Sequence, residues 1–261
     1  MTDADIELRY LVAIGLAHEA GALAMTYAND RARMATRMKG AQDFLTEADG
    51  AVEAMLRARL ARLFPGDGFV GEEGGGEGAD NLWIVDPIDG TANFARGDIQ
   101  WCISIGFVHK LKPVVGVIHA PVLGETFAAR KGAGATLNGR RITIANTAKL
   151  DSATVEIGWS ARGQHDTYLN LVSKVCGLGA SPKRGASGAL GLAWVACGRT
   201  DAYLEMYINS WDVAAGIVIV KEAGGVVSDF FAGDGLTRGK PILATSPAFE
   251  APLRSIFGVT V

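Results

Sequence analysis

The segment Trp83-Ile84-Val85-Asp86-Pro87-Ile88-Asp89-Gly90-Thr91 constrains this chain more than any other. Its apolar opening reads as a buried strand, and Pro87 and Gly90 turn the chain directly afterwards. Two carboxylates therefore stand at the buried end of a strand, where negative charge is costly unless a cation neutralises it. Asp-Pro and Asp-Gly also occur in plain turns. Three features favour a site instead. Pro87 fixes the turn, Ile88 can aim its carbonyl at the point the aspartates face, and Gly90 and Thr91 offer N–H groups to an anion.

Further acid comes from distant segments. Gly71-Glu72-Glu73 ends a short strand at 69–70, and Ser210-Trp211-Asp212 precedes an apolar helix. Hard oxygen donors without a histidine or cysteine cluster point to Mg²⁺ rather than zinc. Glu72, next to the strand end, reads as a ligand, whereas Glu73 and Glu77 read as solvated loop acids. The glycine-rich stretch 71–78 contains no lysine and so is not a phosphate-cradling P-loop. Asp49 fits a capping box begun by Thr46, and Asp212 fits a helix cap or first-turn acid. Glu205 reads either as a rim charge or as a substrate-facing group. Lys39, in the basic stretch Arg31, Arg33, Arg37 and Lys39, is a weaker candidate for approaching phosphate.

The 261 residues are 49% apolar and 20% charged, enough for a substantial core in one large domain or two packed halves. A net charge of −3 gives no electrostatic case for nucleic-acid or membrane partners. The odd cysteine count, Cys102, Cys176 and Cys197 without CxxC spacing, argues for buried free thiols in a reducing compartment. A helix over 8–27, with Leu8, Leu11, Val12, Leu16 and Leu23 at helical spacing, is interrupted by charge. It is not a signal peptide, and no run is long enough to cross a bilayer. A cytoplasmic location is expected.

A second helix is expected over 50–63, with Val52, Met55, Leu56, Leu60 and Leu63 on one face. Strands follow over 82–85, 103–109, 113–119, 125–129 and 141–144, punctuated by hairpin turns that suggest an antiparallel sheet. From about 150 the pattern alternates: strand 154–158, helices 164–176 and 189–197, an extended 202–204, helix 213–223, strand 226–228. That reads as α/β layering. Two halves result, 1–148 with most of the acidic residues and 149–261 with Asp212, forming one compact unit. The chain lacks Cys-x5-Arg and Asp-x-Asp-x-Thr, so phosphoryl transfer here would use water as the nucleophile.

Together these stretches resemble the inositol monophosphatase family. Gly71-Glu72-Glu73 matches its first acidic motif, and Trp83 to Thr91 with Asn93-Phe94 matches its central motif nearly residue for residue. Trp211-Asp212 with Ala214, Ala215, Gly216, Glu222, Ala223, Gly224 and Gly225 matches its C-terminal motif, and 198–203 adds a further family-like segment. The resemblance implies a layered α/β/α/β/α sandwich and a Mg²⁺-dependent, lithium-sensitive phosphomonoesterase, usually a homodimer, with two to three ions. It assigns Glu72, Asp86 and the Ile88 carbonyl to one metal and Asp86, Asp89 and Asp212 to a second, with Glu72 helping a third. Gly90 and Thr91 would contact phosphate, and Thr91 with Asp49 would orient or deprotonate water. Ala186, Ser187, Gly188 and Glu205 would face the leaving alcohol. Many members have Gly-Ser/Thr-Ala where this chain has Ala186-Ser187-Gly188, which redraws that wall. Inositol-1-phosphate or a similar polyol or sugar phosphate is the expected substrate, with histidinol phosphate the alternative. Fructose-1,6-bisphosphate and 3′-phosphoadenosine 5′-phosphate rank lower, because no second cluster of Arg, Lys or Tyr is evident. A non-catalytic regulatory protein is the remaining reading.

Overall fold

The computed structural model describes residues 1–30, 36–40, 43–76, 78–160 and 163–257. Arg31, Arg33 and Glu77, and the side chains of Arg37 and Lys39, lie outside the described residues. A seven-stranded sheet is built from β3 (Gly68–Gly71), β4 (Asn81–Asp89), β5 (Cys102–His109), β6 (Lys112–Ala120), β7 (Glu125–Arg130), β8 (Gly134–Leu137) and β9 (Arg140–Arg141), in that order. All neighbours are antiparallel except β3 and β4, which run parallel. From β5 to β9 hairpin turns connect the antiparallel strands, as the turn signals predict, whereas β4 reaches β5 through α3 (Thr91–Arg96). The expected strand 141–144 is only β9, and β8 was not anticipated. β1 (Thr36–Gly40) and β2 (Asp43–Thr46) form a separate antiparallel pair that was not anticipated.

The second sheet has the order β11 (Ser181–Lys183), β10 (Thr154–Ile157), β12 (Ala202–Ile208), β14 (Lys240–Thr245), β13 (Val226–Val227). β10 lies parallel to both β11 and β12, whereas β14 is antiparallel to β12 and β13. β11, β14 and the terminal helix α7 (Pro247–Phe257) were not foreseen. The remaining helices are α1 (Asp3–Ala28), α2 (Glu47–Leu63), α3 (Thr91–Arg96), α4 (His165–Gly177), α5 (Gly188–Ala196) and α6 (Ser210–Glu222).

Strand alternation distributes the core into layers. Trp83, Val85, Ile103 and Ile105 face α1 and α2, while Leu82, Ile84, Cys102 and Ile118 face α5 and α6. α5 and α6 are buried almost all round because they lie between the two sheets. On the far side of the second sheet, Leu171 and Val175 of α4 and Phe249, Leu253 and Phe257 of α7 pack on Val155, Ile157 and Leu204. The result is the expected α/β/α/β/α sandwich.

Three further sequence expectations need correction. α1 packs through a stripe of small residues, Ala13, Ala17, Ala20, Gly21 and Ala24 with Leu16, and not through Leu8 and Leu11, which are exposed. Small side chains let the helix lie close on β6: a Cβ at Gly21 would sit 2.6 Å from the His119 ring. α1 is also long and apolar enough, by length and composition alone, to cross a membrane, contrary to the expectation from its charges. Of the cysteines, Cys102 is buried, but Cys197 is half-buried and Cys176 is exposed on α4, so a common buried setting does not hold.

Candidate active site

In a regular strand, residues 86 and 89 would point to opposite faces. β4 avoids this with a bulge: Asp86 pairs with Ser104 and Asp89 with Cys102, so β4 advances three residues while β5 advances two. The extra residue re-aims the strand end, and both carboxylates turn to one place. Asp86 is fixed there by the Ile88 amide, which donates to its Oδ1 at 3.0 Å.

Asp212 arrives from the other side on the first turn of α6. The helix can approach because β5 and β6 carry glycine at paired positions. A Cβ at Gly106 would lie 2.6 Å from the Ala214 Cβ, and one at Gly116 would lie 2.2 Å from the Ala215 carbonyl oxygen. Ser104 then ties the helix start down by donating to the Trp211 carbonyl at 3.2 Å. Asp212 caps its own helix, accepting the Asn209 amide at 2.9 Å. Asp212 thus belongs both to the helix cap and to a cluster of carboxylates. One oxygen each from Asp86, Asp89 and Asp212 fall within 4.8 Å of one another.

Asp89 is held by the start of α5. Its Oδ2 accepts the Ser187 hydroxyl and the Ala189 amide (2.8 Å), and its Oδ1 faces the Gly188 amide at 3.3 Å. The Cys102 thiol donates to it at 3.7 Å, and burial keeps that thiol protonated. Burial pushes the Asp86, Asp89 and Asp212 carboxyls upward. Repulsion from Glu72, Asp89 and Asp212 raises Asp86 further, and that from Asp89 raises Asp212. Three ionised carboxylates cannot share such a place without positive charge. The donor set, oxygen throughout, suits a hard divalent cation, which would reverse these shifts on binding.

Glu72 follows β3, its amide donating to the Val85 carbonyl at 3.3 Å, and its charge is the largest electrostatic influence on Asp86 after burial. It stands beside the trio without being one of the three closest oxygens. The Ile88 carbonyl accepts the Thr91 hydroxyl at 2.9 Å. That hydroxyl also faces Asp49 Oδ1 at 3.3 Å. The other Asp49 oxygen accepts the Thr46 amide (2.9 Å) and hydroxyl (2.5 Å). Asp49 is therefore the capping residue that the sequence suggests and also the partner of Thr91. Burial raises its carboxyl to about 6.

The facing wall is Ala186-Ser187-Gly188, which leads into α5. Ala186 adopts a left-handed backbone (φ 63°), while Gly188 has a side that a Cβ could occupy only by moving Ile208 Cδ1, 2.7 Å away. Glu205 is buried and not a rim charge; it accepts the Tyr203 hydroxyl at 2.5 Å, and burial pushes its carboxyl up to about 8. Gly90 (φ 90°) lets the β4–α3 turn touch this wall, since a Cβ there would lie 3.3 Å from the Ser187 Cβ and 2.8 Å from the Gln100 carbonyl oxygen.

Sequence reasoning missed two residues that hold this wall in place. Asn93 Nδ2 donates to the carbonyls of Gln100 (2.7 Å) and Gly185 (2.9 Å), which pins the wall to α3. Glu156, buried on β10, accepts the Gly185 amide at 2.9 Å and pairs with Lys183 at 3.3 Å. Asn93 sits in the central motif and could have been flagged there. Glu156 has no sequence signal beyond a charge inside an apolar strand.

The sequence model of the inositol monophosphatase family matches residues 5–255. The Nus factor SuhB of Pseudomonas aeruginosa is 37% identical over 255 residues, 94% of each chain. An inositol-1-monophosphatase of Mesorhizobium japonicum is 36% identical over 225 residues, 83% of each chain. Among solved structures, the extragenic suppressor protein suhB from Bartonella henselae superposes with a TM-score of 0.87 at 33% identity, covering 96% of this chain and 98% of that one. With the carboxylate cluster, the fold and a match over nearly its whole length in agreement, the chain belongs to the inositol monophosphatase family.

Proposed function

We propose that this protein hydrolyses a small phosphate monoester with Mg²⁺, the substrate being inositol-1-phosphate or a related polyol or sugar phosphate. The observation that carries the reading is the bulge in β4, which gathers Asp86 and Asp89 with Asp212, beside the Asp49–Thr91 pair. The resemblance to a relative named inositol-1-monophosphatase supports the substrate class.

Asp86, Asp89, Asp212, Glu72 and the Ile88 carbonyl would hold two to three ions. Bound there, divalent cations lower the pKa of water and neutralise charge on phosphoryl and leaving oxygens. The chain's own residues do the rest. Thr91, braced by Asp49 and the Ile88 carbonyl, orients the attacking water, and Asp49 takes its proton as the oxygen bonds to phosphorus. The ester P–O bond breaks in line, its electron pair passes to the leaving oxygen, and that oxygen takes a proton from solvent as the alcohol departs toward Ala186-Ser187-Gly188 and Glu205. Gly90 and Thr91 hold the phosphate. Glu205 meets a hydroxyl of the polyol, and in the histidinol phosphate alternative it meets an ammonium.

The test is Mg²⁺-dependent phosphate release from inositol-1-phosphate, histidinol phosphate, fructose-1,6-bisphosphate and 3′-phosphoadenosine 5′-phosphate. Preference for the first supports the reading, and preference for another reassigns the substrate. No release from any by folded, metal-loaded protein would turn the assignment to a regulatory role. The 37% identity to a relative named Nus factor SuhB favours that second reading.

A further inference from the structure

Glu53 is a buried carboxylate in the middle of α2, one helical turn beyond Asp49, and it takes no part in the chemistry proposed above. Nothing in the sequence marks it. Its oxygens meet the backbone of the acidic loop: Oε2 accepts the Glu73 amide at 2.8 Å, and Oε1 accepts the Gly74 amide at 2.8 Å. Arg57, on the next turn, donates to Glu53 Oε1 at 2.9 Å and to the Gly75 carbonyl at 3.0 Å. Its guanidinium also stacks 4.3 Å above the Phe69 ring of β3. The loop is wrapped tightly round this carboxylate. A Cβ at Gly71 would lie 2.2 Å from Glu53 Oε2, and one at Gly74 would lie 2.7 Å from Oε1.

Glu72 sits between these anchors. Its own amide is fixed on the Val85 carbonyl and the next amide on Glu53, so both peptide units flanking its side chain are held. An acidic loop has no reason to sit near Asp86, whose charge repels it. Two amide bonds to a buried carboxylate, itself balanced by Arg57, supply the restraint. Because Glu53 and Asp49 share a face of α2, one helix sets both the Thr91 partner and the Glu72 loop.

We infer that Glu53 is a positioning residue, which holds Glu72 in the geometry that the metal cluster needs. The inference rests on the reading of Glu72 as a metal ligand. Outer-shell partners of ligands typically change metal affinity by about 10- to 100-fold when lost.

The experiment is calorimetric titration of the full-length protein with Mg²⁺, alongside thermal melts without metal, for wild type, Glu53→Gln and Gly74→Ala. Glu53→Gln removes one acceptor and the charge. Gly74→Ala keeps the charge but pushes the Glu53 and Arg57 tips away. Both should raise the Mg²⁺ dissociation constant about ten-fold or more. A lowered melting temperature with an unchanged dissociation constant in both variants would reduce Glu53 to a structural residue and overturn the inference alone. Should Glu53→Gln fail to fold, Gly74→Ala decides in the same terms. If wild type binds no Mg²⁺, the metal reading falls and this inference with it.

Discussion

The Ser187 hydroxyl donates to the Asp89 carboxylate, joining the first residue of the α5 cap to the end of β4, 98 positions earlier in the chain. Together with the Ala189 amide at 2.8 Å it fixes one oxygen of Asp89, and the Gly188 amide faces the other at 3.3 Å. In Asp89→Asn the amide oxygen can keep the Ser187 and Ala189 bonds, while the NH₂ replaces an oxygen that accepts the Gly188 amide and removes the negative charge from the cluster. The variant should fold, with a melting temperature within about 4 °C of wild type. Phosphate release should fall by about 100-fold or more, as when one preorganised electrostatic partner is lost. Normal turnover at saturating Mg²⁺ would remove Asp89 from the metal site.

Asp49 must be ionised to take a proton from water, and burial holds its carboxyl at about 6 instead of 3.8. A raised carboxyl is protonated over a wider acid range, so the rate should decline as pH falls below about 6. Asp49→Asn should lower the rate by about 100-fold and abolish that limb. A pH–rate profile at saturating metal checks both. An acid limb that persists unchanged in the variant would assign it to another group.

The central strand, its two aspartates and the acidic ends at Glu72 and Asp212 were legible because each is a local pattern, an apolar run closed by turn residues. What joins them was not. The bulge between Asp86 and Asp89 depends on how β5 pairs, and no spacing within 83–91 reveals a register set by Ser104 and Cys102. Glu53 and Glu156 act through backbone groups 20 to 29 positions away, which leaves no trace in neighbouring residues. The buried side of α1 was misread for a related reason. Leucines mark a face only where space allows, and here alanine and glycine provide the contact.

Ala186 holds a left-handed backbone (φ 63°), the conformation that glycine adopts without strain. For an L-residue with a Cβ this conformation costs about 1 to 2 kcal/mol. Ala186→Gly should therefore stabilise the protein by about 1 kcal/mol, raising the melting temperature by about 2 to 4 °C. The added methyl also narrows the wall faced by the leaving alcohol, so the variant should accept bulkier alcohols with a lower KM. A fall in melting temperature would show that the methyl contributes packing that outweighs the strain.

Where α1 meets the sheet, two histidines lie together. His119 on β6 shares a hydrogen bond with Thr126 at 3.0 Å, and its ring lies 4.3 Å from that of His18 on α1. Burial, and secondarily the neighbouring His18, lowers His119 from 6.5 to about 4. The folded protein thus binds fewer protons than the unfolded chain between these values, and stability rises with pH across the interval. The contribution of this site is complete above about 6.5 and disappears as pH falls toward 4. The difference amounts to about 3 kcal/mol at most, from 1.36 kcal/mol per pKa unit. Denaturant unfolding of wild type and His119→Gln at pH 7.5 and 4.5 isolates it, because other titrating groups cancel between the two proteins. The variant should lose less stability on acidification, and equal losses would show that His119 is protonated in the folded state without penalty.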